Sequence, residues 1–155
     1  MDDLLISRAE VETAQRSWAR ALVEVGAANN WEESHRLATG MVRDHYLLDG
    51  TLLFCPTRAA DRQFRSGLED SVSYFVGRNP EFPEDHGFAL DRWARVRFEN
   101  HGIVCRDGLA VAMGNYFFTR GDRDPAKVEF SLLYVRDADR SLKIQLHHSA
   151  MPFGS

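Results

Sequence analysis

From Trp93 onward the chain reads as four long β-rich runs, Trp93 to Cys105, Leu109 to Thr119, Lys127 to Arg136 and Leu142 to Ser149. The segments between them, Asp107-Gly108, Gly121 to Pro125 and Asp137 to Arg140, carry turn chemistry and are short. Connections of that length leave room only for antiparallel neighbours, because a parallel crossover needs a dozen residues or more. Strands this long in a small domain must bend strongly, and Gly102 and Gly114 are the candidate bulge or kink sites.

The first half has a different period. Ser7-Arg8-Ala9-Glu10 forms a capping box, and Val11, Ala14, Trp18, Ala21, Leu22 and Val25 follow at helical spacing until Gly26. Asn30 with Glu33 opens a second helix, with Leu37, Met41 and His45 on one face, that runs to about Leu48 before the Asp49-Gly50 turn. Thr51 to Cys55 is a short strand stopped by Pro56. Ser66-Gly67-Leu68-Glu69 is read as a third capping box, leading a helix whose apolar stripe is Leu68, Val72, Phe75 and Val76, with Tyr74 to one side. Asn79 to Gly87, with two prolines, is a loop in which Glu81, Glu84 and Asp85 read as solvated acids. Helices on one face of a strongly curved antiparallel sheet make an α+β cone, expected as a single domain over residues 1–155.

Composition narrows the function classes. Of the 155 residues 44% are hydrophobic and 27% charged, and a net charge of −4 with no basic cluster argues against a nucleic-acid surface. The arginine-rich run Arg92 to Arg97 reads as an exposed strand face. No apolar run approaches the roughly 20 residues that span a bilayer. The opening Met1-Asp2-Asp3-Leu4-Leu5-Ile6 is acidic and too short in its apolar part for a signal peptide. Cys55 and Cys105 are isolated, as reduced buried thiols are, so the expected location is cytoplasmic.

The most unusual local feature is His147-His148-Ser149 at the end of the last strand. Strict alternation puts Leu142, Ile144, Leu146 and His148 on one face and Lys143, Gln145, His147 and Ser149 on the other. His147 and Ser149 then sit about 7 Å apart on one side, able to share a small ligand or a water. His148 continues an apolar face and reads as a structural histidine. Adjacent histidines on a strand diverge, which makes a poor metal site, and no His-x-His or i, i+4 histidine pair occurs elsewhere. His35, His86 and His101 read as surface residues, and His45 as core or pocket wall. There is no glycine-rich phosphate loop, nucleophile elbow or Cys/His dyad.

Five segments together resemble the iota-class carbonic anhydrases: Asp49 to Ala60, Ser73 to Gly77, Phe82 to Phe88, Ala112 to Phe118 and the terminal His147-His148-Ser149. The similarity runs from about Leu22 to Phe153. It implies an NTF2-like cone related to the calmodulin-dependent kinase association domain. It also implies reversible hydration of carbon dioxide to bicarbonate and a proton. Some members of that class are described as needing zinc or manganese and others as working without metal; the lack of a three-histidine set here favours the metal-free mode. The family's pocket residues carry over to Thr57, Tyr74, His147 and Ser149. Its terminal His-His-Ser-Ser becomes His-His-Ser-Ala here, with Ala150 last, a change expected to alter hydrogen bonding at the pocket mouth.

On that resemblance Thr57 and Ser149 hold a water or a bicarbonate oxygen. His147, titrating near neutrality, is the expected proton acceptor, and Tyr74 the donor to developing negative charge. The competing readings are a non-catalytic ligand-binding or oligomerisation module and an isomerase or cyclase, the latter needing a carboxylate such as Glu129 inside the cone. Apolar residues on both faces of one strand (Val128, Phe130 and Leu132 against Leu133) predict a homodimer through the sheet.

Overall fold

The computed structural model describes residues 4–155, so the first three residues of the opening segment lie outside it. Three helices, α1 (Arg8–Ala27), α2 (Trp31–His45) and α3 (Leu68–Val76), pack on a five-stranded sheet. Its strands are β1 (Leu53–Cys55), β2 (Arg95–Arg106), β3 (Leu109–Thr119), β4 (Ala126–Arg136) and β5 (Leu142–Ala150). The spatial order is β1-β5-β4-β3-β2. The last four strands form the antiparallel meander read from the sequence, but β1 joins β5 in parallel, so the sheet is mixed.

Local chemistry accounts for most element ends. The Ser7–Glu10 capping box starts α1, which runs through Gly26 to Ala27. Asn30 caps α2 by accepting from the Glu33 amide at 2.8 Å, and the helix stops at His45, earlier than Leu48. The third box is one residue later than expected. Asp70, not Glu69, reaches back, accepting from the amides of Ser66 (2.8 Å) and Gly67 (2.9 Å). Trp93 precedes β2 and turns inward, its indole donating to the Phe88 carbonyl at 2.9 Å. Phe88–Asp91 is a 3₁₀ turn.

Two bulges set which side chains face the helices. In β2, His101 has no partner, since Asn100 pairs with Gly114 and Gly102 with Met113. Gly114 is the glycine this requires: a Cβ there would lie 2.2 Å from the Glu99 carbonyl oxygen. In β5 the extra residue is Gln145, because Tyr134 pairs with Ile144 and Leu133 with Leu146. That bulge overturns strict alternation. Ile144 shares the inner face with His147 and Ser149, while Leu146 is only half-buried and His148 is exposed.

The core is aromatic and centred on Trp18 of α1, whose ring is within 6.5 Å of the rings of Phe75, Phe98, Tyr116, Phe118 and His147. Such pairs add about 0.5–1.5 kcal/mol each beyond area burial. Helix α1 is pinned to β2 by a reciprocal amide pair, Gln15 with Asn100, both bonds 2.8 Å. Among the described residues no helix is long and apolar enough to cross a membrane.

Candidate active site

The parallel pairing of β1 with β5 sets Phe54 beside His147, and their rings stack at 4.9 Å. Pro56, lacking an N–H, ends the ladder. The chain then turns, and the Thr57 hydroxyl comes to rest 2.6 Å from the Ser149 hydroxyl. Helix α3 adds Tyr74 and β3 adds Tyr116. With Trp18, Phe75, Phe88 and Phe118 these residues enclose a cavity with about 10 Å³ open to the centre of a water-sized sphere. That is room for about one water molecule. All four residues carried over by resemblance line it.

A continuous set of hydrogen bonds runs behind the cavity. Trp18 Nε1–H donates to the Tyr46 hydroxyl at 3.0 Å. Tyr46 lies 2.9 Å from His147 Nδ1, and Tyr116 lies 3.1 Å from His147 Nε2. Tyr116 donates to Ser149, which meets Thr57. Both ring nitrogens of His147 are thus occupied. The ring is 3% exposed, and burial, with a smaller contribution from His148, pushes its pKa down to about 3. His147 is therefore a neutral imidazole at physiological pH. The expectation of a proton acceptor titrating near neutrality is corrected.

Burial pushes the Tyr74 phenol up to about 12, keeping it a donor. Thr57 and the backbone at Arg58 are near enough to oppose that rise, yet the hydroxyl completes no hydrogen bond. It is a buried polar group aimed at the cavity without a partner, which costs about 1–3 kcal/mol in the unliganded protein.

The loop carrying Thr57 is tied down by acids that sequence reasoning placed in solvent. Glu84 accepts from the amides of Ala60 (2.6 Å), Asp61 (3.1 Å) and Arg62 (2.8 Å), which holds its carboxyl below the usual range. Asp85 forms a fully buried bidentate pair with Arg65 (2.8 and 2.9 Å) and accepts from Ser73 at 2.6 Å. Ser73 precedes Tyr74, so one ion pair fastens the Thr57 loop to the helix that carries Tyr74. No local pattern in the sequence links Arg65 to Asp85.

The remaining expectations sort by face. His148 is exposed on the outer side and is not a packed structural residue. Ala150 borders an outer groove with His148 and Glu129, so its departure from the family motif does not reach the cavity mouth. Glu129 is exposed and among the described residues no carboxylate lines the cavity, which removes the feature an isomerase or cyclase would need. His45 bridges the helices, bonding Ser17 at 2.8 Å, and walls a separate open groove with Asp44 and Arg136 rather than this cavity. Among the described residues no three His, Cys, Asp or Glu side chains gather to hold zinc or manganese.

Trp18, Tyr46 and Tyr116 were missed as site residues. Tyr116 was within reach of the sequence: β3 alternation puts it inward, and a buried tyrosine hydroxyl needs a partner.

A family model described as metal-independent carbonic anhydrase matches residues 9–151. The chain belongs to that family. It is 34% identical to a metal-independent carbonic anhydrase of Nostoc sp. over 96% of this chain and 75% of the relative. An iota-carbonic anhydrase from a cyanobacterium, solved with bicarbonate, superposes with a TM-score of 0.95 at 32% identity, covering 100% of this chain and 98% of that one. An NTF2-like protein of unknown function from Pseudomonas putida shares the fold alone (TM-score 0.59, 13% identity, 94% of this chain and 86% of that one). Membership of the metal-independent carbonic anhydrases agrees with the metal-free reading of the sequence and sets aside the non-catalytic module.

Proposed function

We propose that this cavity hydrates carbon dioxide reversibly, with Thr57, Tyr74, His147 and Ser149 as its working residues and no metal. The observation that carries the reading is the unpartnered Tyr74 hydroxyl facing the bonded Thr57–Ser149 pair inside an aromatic enclosure. Without a metal the pKa of water stays near 15.7, so catalysis rests on holding water against the carbon and stabilising the oxygen that gains charge. A water oxygen bonds to the carbon of CO2, one water O–H bond breaks, and the proton passes to solvent as bicarbonate forms. Phe54, Phe75 and Phe88 give carbon dioxide an apolar approach to the water held there. Tyr74 and Thr57 donate to the developing oxyanion. His147, neutral, holds Tyr116 and through it Ser149.

Stopped-flow hydration of carbon dioxide by chelator-treated protein tests this reading. Activity that persists, with far less than one equivalent of bound zinc or manganese, is the expected result. Loss on chelation with recovery on adding one metal would overturn it.

The outer sheet face presents Val104, Leu109, Val111 and Met113 to solvent, which supports a homodimer through the sheet. The two free cysteines, Cys55 and Cys105, are compatible with a reducing, cytoplasmic setting.

A further inference from the structure

We infer that Trp18 and Tyr46, behind His147, are positioning residues that fix the direction of the whole hydrogen-bond chain, so that its last hydrogen, on Thr57, points into the cavity. This rests on the cavity being the hydration site. The argument is a count of hydrogens. An indole nitrogen can only donate, so the Trp18–Tyr46 bond has one possible sense. Tyr46 is 1% exposed, and its hydroxyl meets two side-chain partners, Trp18 and His147. Having accepted from Trp18, it satisfies its own hydrogen by donating to His147 Nδ1.

A neutral imidazole carries one hydrogen, and Nδ1 is now an acceptor, so that hydrogen sits on Nε2. Nε2–H donates to Tyr116, and Tyr116 donates to Ser149. Ser149, already an acceptor, donates to Thr57 at 2.6 Å. The Thr57 hydrogen is left for the cavity, on the side where Tyr74 also has a hydrogen to give. The opposite tautomer would turn around every bond from Tyr46 to Thr57, strand the Tyr46 hydrogen beside an indole that cannot accept it, and leave a lone pair facing the oxyanion, where a donor is needed. A donor-only group at the far end therefore determines what the near end offers the substrate.

The test is the ¹⁵N NMR spectrum of histidine-labelled full-length protein at neutral pH, with the His147 signals assigned by their loss in His147→Gln. The expected result is hydrogen on Nε2 and a bare Nδ1. A wild-type ring with hydrogen on Nδ1 would overturn the inference even in an active enzyme. An inactive wild-type protein with the expected tautomer would instead sink the hydration reading and leave the chain direction standing. Tyr46→Phe removes the donor to Nδ1 while keeping the ring. It should mix the tautomers and lower kcat about 10–100-fold, as loss of an outer partner does for oriented imidazoles at metal sites. A folded Tyr46→Phe protein with an unchanged Nε2–H tautomer would overturn the role given to Tyr46. Trp18→Gln, whose side-chain oxygen can take the Tyr46 hydrogen and so let Tyr46 accept from Nδ1, should mix the tautomers in the same way.

Discussion

His147 shows how a side chain's surroundings decide its chemistry. Burial takes its charged form away from bulk solvent, so the folded protein refuses a proton that the unfolded chain accepts near pH 6.5. The folded pKa lies below the unfolded one, so His147 contributes stability above about pH 6.5 that is lost as pH falls toward 3. The slope is up to about 1.4 kcal/mol per pH unit. Melting curves from pH 4 to 7 should show it as a difference between wild type and His147→Gln, the variant losing less on acidification. The same residue tests the site. His147→Ala, Ser149→Ala and Tyr74→Phe should each cut turnover, about 10²-fold or more where an oriented donor to the oxyanion is lost. His148→Ala should change neither turnover nor stability by more than about 0.5 kcal/mol, since its ring is in solvent. Residue types and alternation made His147 and Ser149 legible as a pair. The protonation state of His147 was not, because it depends on burial beneath elements distant in sequence, among them those carrying Trp18, Tyr46 and Tyr116.

At the scale of elements, caps and turns were legible and bulges were not. Ser7 with Glu10 and Asn30 with Glu33 announce helix starts because both partners lie within four residues. The extra residue at Gln145 depends on how β5 meets β4, which no local pattern records, and it moved Ile144 to the inner face. Gly114 was singled out as a kink site. Its role is to let β3 approach the bulged backbone of β2, and Gly114→Ala should destabilise by about 1–3 kcal/mol, read by denaturant titration. The latch between Arg65 and Asp85 should be costlier to break. Asp85→Ala leaves a guanidinium buried without its partner, a loss of about 3–5 kcal/mol. Turnover should fall too, because Thr57 and Tyr74 sit on the two segments that this pair joins.

For the whole molecule, the α+β layering followed from the helical first half and the strand-rich second half, while the parallel attachment of β1 that completes the cavity was not legible. The exposed apolar sheet face makes assembly a measurable matter. Light scattering at micromolar concentration should report a dimer, and Met113→Glu should shift it toward monomer with the fold intact. The indole that ends the buried chain carries a further kinetic consequence. Every hydration releases a proton, and the Trp18 nitrogen, its lone pair tied up in the aromatic ring, cannot accept one to pass it onward. The interior is a cul-de-sac, so acid must leave through the opening by which carbon dioxide came in, handed to whatever base waits in the medium. Turnover should then climb with buffer concentration until some other step limits it, leaving the pace of the enzyme partly in the hands of its solvent.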